Sequence, residues 1–381
     1  MPCSVTSDVV DVFLSLATVQ SPSGAERPVA DLAAGYLREL DLEVSEDAAG
    51  GALRGDAGNL YCRIPATDGN GGLPLFFCAH MDTVPPDAPI EPVISFGAIR
   101  NSAPTILGAD NKASVAVMLD AIRQIVTEGR PHAGIELVFT VQEEVGLLGA
   151  KAFDHTRLHA RTGFVYDHAA AIGEIITQAP SQYTIEATFH GHPAHSGIAP
   201  EQGRSAIAAA ARAIAEMRLG RIDDETTANV GLIRGGTARN IVPAQCWLQA
   251  EARSLDPERA RRQSQAMLDA MAHAANVEEC SVETSVTLEY EAYRYRRADP
   301  TVALACEALE KAGHEPSTVS AGGGADAHVF NQRGLHCLNL GNGMAKIHTA
   351  DEEIAMADLS AMVDVTLALV EAARTRGAAD G

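Results

Sequence analysis

Three apolar runs constrain what this chain can fold into. LPLFFCAH ends at His80, IELVFTVQ stops just before Glu143 and Glu144, and GFVYDHA carries Asp167 near its end. Each has the length of a strand buried on both faces, and helix-like stretches near 6–18, 25–41 and 112–128 alternate with them. This alternation predicts an α/β fold, a mostly parallel sheet with helices on both faces. In open sheets of that kind the ligand site lies beyond the carboxyl ends of the strands. The polar residues fall at those ends.

From about residue 181 the pattern changes. SQYTIEATFHG alternates as a strand, EQGRSAIAAAARAIAEM reads as an alanine-rich helix, and TANVGLIRGG and QCWLQAEARSL read as two further strands. PERARRQSQAMLDAMAHAA is then a helix and SVETSVTLEYEA a last strand, giving the β-α-β-β-α-β order of a ferredoxin-like α+β unit. The expected organisation is a discontinuous first domain, 1–180 and 294–381, interrupted by an inserted domain, 181–293. About two domains also suits a chain of 381 residues.

A net charge of −21 argues against nucleic-acid or anionic-membrane partners, which need a basic face. The start, MPCSVTSDVVDVFLSLATVQ, has no basic leader and reads as an amphipathic helix, and no later apolar run is long enough to span a bilayer. Seven scattered cysteines without C-x-x-C spacing (Cys3, Cys62, Cys78, Cys246, Cys280, Cys306 and Cys337) point to reduced thiols in a cytoplasm.

Among thirteen histidines, His132, His155, His159, His273 and His314 read as structural or solvated. His80 differs, because it ends a buried run and Asp82 lies on the same side of an extended HMD segment, placed to fix the imidazole tautomer. Asp110 precedes a helical run, where an N-cap is the ordinary reading. At a sheet's ligand edge it could instead bridge two cations. Such cations share a carboxylate and together activate one water, and a nearby unligated group must then take its proton. The tandem glutamates suit that division of labour: one ligates and the other moves the proton. Two histidines, His80 and His348, with carboxylates of Asp110, Glu144 and Asp167, form a mixed N/O set. It fits zinc, with cobalt or manganese as substitutes.

The segments CAHMDTVPP, LGADNKAS, TVQEEVGLLGAK, VYDHA and IHTADE fall in the order and near the spacing of the co-catalytic dizinc exopeptidases. That family includes peptidase T, carboxypeptidase G, the aminoacylases and succinyl-diaminopimelate desuccinylase. The chain resembles the peptidase T-like branch most closely, and the resemblance extends through HGHPAHSGIAPEQGRSAI, GGTARNIVP and AEARSLD of the insert. It implies two zinc ions per subunit: His80 and Asp167 on one, Glu144 and His348 on the other, and Asp110 between them. Asp82 would orient His80, and Glu143 would be the proton shuttle. A cis peptide would join Asp110 to Asn111, where close relatives often have a second aspartate.

By the same resemblance, His195 would reach a partner subunit's site and stabilise the oxyanion. Arg253 would clamp a substrate carboxylate, with Asn240 nearby, and the insert would serve as lid and homodimer surface. A structural metal site of His190, His192 and His195 lacks a completing acid or cysteine. The glycine run AGGGADAH lacks the P-loop lysine, so Gly323 and Gly324 are read as substrate contacts. Asp326 and His328 have no assigned role. The implied activity is a tripeptide aminopeptidase acting on short peptides; the alternative is an N-acyl-amino-acid deacylase or carboxypeptidase using the same metals.

Overall fold

A computed structural model describes residues 8–67 and 71–376. Cys3 and the first two residues of the expected 6–18 helix lie outside the described residues. The chain forms two compact units: one of residues up to Thr177, Tyr295–Ser320 and Ala325 onward, the other of Gln178–Arg294 with Ala321–Gly324.

The core of the first unit is four parallel strands in the order Ile135–Thr140, Leu75–His80, Thr162–His168 and His336–Gly341. Antiparallel strands flank them: Leu60–Ile64 and Val44–Glu46 at one side, Glu174–Ala179 at the other. Neighbours on a strand face opposite ways, which explains why helices cover both faces. Phe76 packs on Phe330 of the helix Ala327–Gln332, with ring centroids 4.9 Å apart. Phe77 packs on the other side, against Phe164 and Tyr166.

On that side the helix Ala109–Thr127 packs against Val9–Ala17 and Met356–Arg374. It is buried on almost every face, as a helix enclosed between sheet and helices must be. Each fully buried Phe or Leu side chain contributes about 1.5–3 kcal/mol. All four central strands point their carboxyl ends at the same edge, so the sheet delivers His80, Thr140, Asp167 and Gly341 to one rim.

The second unit has a five-stranded antiparallel sheet in the order Gly220–Arg221, Thr226–Gly235, Gln245–Ser254, Ser181–His190, Ser281–Tyr290. Its helices are Ala206–Glu216 and Pro257–Val277. Ile185, Ala187 and Phe189, with Cys246, Leu248, Ala250 and Ala252, form the buried alternation that meets these helices. The ferredoxin-like order read from the sequence is present. The glycine run differs from its expected placement with the 294–381 segment, because Ala321–Gly324 groups with this second unit. Two hydrogen bonds account for it: Ala321 N–H to the Gln178 carbonyl at 2.8 Å, and Arg253 Nη1 to the Gly322 carbonyl at 3.0 Å.

Candidate metal centre

The carboxyl rim of the first unit gathers His80, Asp110, Glu143, Glu144, Asp167 and His348. Asp110 lies at its centre. Its Oδ1 is 3.2 Å from His80 Nε2, and its Oδ2 is 3.2 Å from His348 Nε2. Asp167 Oδ1 lies 3.6 Å from His80 Nε2, and Glu144 Oε1 lies 2.9 Å from His348 Nε2. The carboxylate therefore divides its oxygens between two imidazole–carboxylate pairs. Glu143 belongs to neither pair, with Oε2 4.0 Å from His80 Nε2.

These spacings suit a metal. Bonds of about 2.0–2.1 Å at tetrahedral angles put ligand atoms a little over 3 Å apart. Asp110 Oδ1 is buried and has no hydrogen-bond partner among the described residues, a costly state that a cation relieves. Charge points the same way. Asp82, Asp110, Glu143, Glu144 and Asp167 surround only two imidazoles. Burial alone would lower the His80 pKa, yet Asp110, Asp167 and Asp82 hold it well above its ordinary value. Asp110 and Glu144 push His348 up to about 10. Burial pushes the Asp167 carboxyl up to about 7 and that of Glu143 well above the ordinary range. A site this avid for protons is avid for divalent cations.

Each side chain is aimed by a buried partner. The Asp82 carbonyl lies 2.9 Å from His80 Nδ1 and can only accept, which selects the Nδ1–H tautomer and leaves Nε2 free to ligate. The Asp82 carboxylate, expected to do this, lies 3.4 Å from Nδ1. It is occupied elsewhere, accepting from the Glu143 N–H at 2.9 Å, the Glu144 N–H at 3.2 Å and Ser23 Oγ at 2.6 Å. The turn it braces is tight: Gln142 and Leu147 both have left-handed backbone, φ 52° and 60°. The Gln142 N–H donates to buried Glu26 at 3.0 Å. Asn339 clamps Asp167 by accepting its N–H at 2.8 Å and donating to its carbonyl at 2.9 Å. The Asp110–Asn111 peptide is cis, and Asn111 is fully buried.

The residues placed in the insert by the sequence lie in the second unit. His195 is exposed, its Nδ1 accepting from the Gly197 N–H at 3.2 Å. Asn240 is near it in the fold, its carbonyl accepting from the Ser196 N–H at 3.0 Å. Arg253 is held by Glu251 through Nε at 3.1 Å and Nη2 at 2.9 Å. A Cβ on Gly324 would come within 2.5 Å of the Tyr290 ring, a packing reason for glycine there, whereas Gly323 faces open space. Among the described residues the groups able to hold a metal are His80, Asp110 and Glu144, and His80, Glu143 and Asp167. His190, His192 and His195 form no such group.

Peptidase family M20/M25/M40 matches residues 76–372. The chain belongs to this family. Aminopeptidase PepT of Bacillus cereus is 40% identical, with a TM-score of 0.87 over 96% of this chain and 98% of that one. A tripeptidase of Staphylococcus aureus is 35% identical, with a TM-score of 0.91 over 97% and 98%. An uncharacterized Bacillus subtilis protein, YqjE, is 37% identical over 96% of this chain and 98% of its own. As an M20/M25/M40 member the chain is a peptidase.

Several residues of this M20/M25/M40 site escaped the sequence reading. Ser23, Glu26 and Asn339 carry no motif, Glu352 closes the segment IHTADE without an assigned role, and each acts on main-chain or side-chain groups far away in sequence. Asp326, unassigned from the sequence, is buried and its Oδ2 accepts from Thr140 Oγ1 at 2.5 Å, under the end of a central strand. His328 Nδ1 accepts from the Ala325 N–H at 3.2 Å.

Proposed function

We propose that the protein is a dizinc aminopeptidase that releases the first residue of short peptides. The observation that carries this reading is the sharing of Asp110 between His80 and His348 with an unshared carboxylate, Glu143, beside them. His80 and Asp167 would hold one zinc, His348 and Glu144 the second, and Asp110 both; cobalt or manganese suits the same donors. Such a pair supplies a polarised peptide carbonyl and a water acidic enough to be deprotonated near neutral pH.

Glu143 accepts that proton as the water oxygen bonds to the carbonyl carbon, then delivers it to the amide nitrogen as the C–N bond breaks. The products are a free amino acid and a peptide shorter by one residue. Asp82 keeps Glu143 and Glu144 apart in their two tasks by holding both main-chain N–H groups. Arg253, with Asn240 and the Gly323–Gly324 loop, receives the substrate's terminal carboxylate, a task suited to a planar guanidinium. His195, contributed by a second copy, stabilises the oxyanion.

The aminopeptidase and tripeptidase relatives support the choice of substrate. The homodimer is supported by the exposed apolar Leu232, Ile233 and Ile207 of the insert. The six cysteines among the described residues are unpaired, which supports a cytoplasmic location. Among those residues no helix is long and apolar enough to cross a membrane.

The test is product identification by mass spectrometry after zinc-loaded protein meets one tripeptide in free and N-acetylated forms. Loss of the first residue from the free form alone is expected. Release of acetate, or of the last residue from both forms, replaces this reading with a deacylase or carboxypeptidase.

A further inference from the structure

Glu352 lies four residues beyond His348 and is buried, only 2% exposed. Among the described residues no cationic side chain is within ion-pair distance of its carboxylate, and the buried Lys112 acts on it from farther away. Oε2 accepts from the main-chain N–H groups of Leu107 at 2.7 Å and Gly108 at 2.9 Å, and Oε1 from that of Asp110 at 2.9 Å. The accepted groups lie in the irregular backbone that leads into the helix Ala109–Thr127, in which Asp110 (φ −80°, ψ 103°) and Asn111 (φ −120°, ψ 25°) are themselves non-helical, so these N–H groups have no regular helical partner. Gly108 is left-handed at φ 75° and has no side chain to accept these bonds, and the acceptor comes from a distant segment.

The distant segment is the one that carries His348. Residues 345 and 353 pair through both main-chain hydrogen bonds, at 3.0 and 3.1 Å, closing a loop that contains His348 and Glu352. His348 is itself left-handed, φ 61°, and 45% exposed, so burial alone does not fix it. One carboxylate therefore ties the Asp110 turn to the His348 loop. A displacement of the Asp110 main chain would move both of its carboxylate oxygens, and each faces a different imidazole.

We propose that Glu352 is a positioning residue that holds Asp110 and His348 in register for metal binding. The inference rests on the two-metal reading of the site. Glu352→Gln keeps the shape but replaces one acceptor oxygen by a donor amide, which opposes main-chain N–H groups.

The test compares zinc affinity, by chelator competition, and the visible absorption of the cobalt-substituted protein for wild type, Glu352→Gln and Glu353→Gln. Glu353 is the neighbouring acid, paired with Arg100 and Lys346, and controls for a change of charge in this loop. Glu352→Gln is expected to weaken at least one of the two zinc equivalents by about 10- to 100-fold, the range for outer partners of metal ligands, and to alter the cobalt spectrum. Glu353→Gln is expected to leave both unchanged.

A role confined to stability would lower the melting temperature of the metal-free protein and leave affinity and spectrum alone; that result overturns the proposal, as does equal weakening in Glu353→Gln. If Glu352→Gln does not fold, Glu352→Asp, which keeps the charge and shortens the reach, carries the same readouts. Wild type binding fewer than two metal ions overturns the two-metal reading and the proposal with it. Two ions bound equally by wild type and Glu352→Gln overturn the proposal alone.

Discussion

Asp82 and Glu143 are joined side chain to main chain: Asp82 Oδ1 accepts the Glu143 N–H at 2.9 Å, while Oδ2 of the same carboxylate accepts the N–H of Glu144 at 3.2 Å. The two glutamates thus leave one anchored point, Glu144 toward His348 and Glu143 toward His80. Asp82→Asn keeps the shape but turns an amide donor against one of those N–H groups. We expect kcat to fall about 10- to 100-fold with a smaller change in KM. Ser23→Ala, which removes one hydrogen bond to the same carboxylate, is expected to cost about 1–2 kcal/mol of stability. Steady-state kinetics and denaturant unfolding check the pair.

Glu143→Gln removes the proposed proton carrier without touching either imidazole–carboxylate pair. Turnover should fall by about 10²- to 10⁴-fold while the protein retains its metal. Elemental analysis of the variant beside its kinetics separates this from loss of a ligand, since Glu144→Gln is expected to lose metal as well as turnover.

Arg253→Lys should act on binding more than on chemistry. The guanidinium reaches both oxygens of Glu251 and the Gly322 carbonyl at once, a geometry a single ammonium cannot reproduce. KM for a tripeptide with a free carboxylate should rise severalfold with kcat little changed, and the C-terminal amide of the same peptide should discriminate less between wild type and variant.

How far the site could be read from sequence depended on where its forces originate. His80, Glu144 and Asp167 were legible because apolar runs of strand length end beside them, and a parallel sheet sends such ends to one rim. The insert was legible because period-2 alternation in 181–190 and 245–254 survives packing on a single helical face. Glu352 was not. It closes the segment IHTADE within the acidic run Asp351–Glu352–Glu353, and its task shows only in the turn that buries it and not its neighbours. The Asp82 carboxylate was legible as a partner of this site but not in its main task, because its acceptors' targets are main-chain N–H groups, which every sequence carries. Gly324, read from the sequence as a substrate contact, also has a packing reason that the sequence does not display, the bulk of Tyr290.

His155, read from the sequence as structural or solvated, is expected to make the protein acid-sensitive. Burial, and then the charge of Arg333, lower its pKa to about 4, and its ring packs edge-on against Phe153 and Phe330. The unfolded imidazole takes a proton near 6.5, the ordinary value, so the unfolded state binds more protons between the two values. The stabilisation from burying a neutral ring is complete above about 6.5 and is lost as pH falls through 4. His155→Phe should flatten the fall in melting temperature over that interval; an unchanged profile would assign the fall to other groups.

The measurement closest to the central claim is a crystal structure of the zinc-loaded protein with anomalous differences collected at the zinc edge. Two peaks are expected, about 3.5–4 Å apart, one between Asp110 and His80 with Asp167, the other between Asp110 and His348 with Glu144. One peak alone, or a peak ligated by Glu143, would contradict the shared role of Asp110 and the separate role of its neighbouring base.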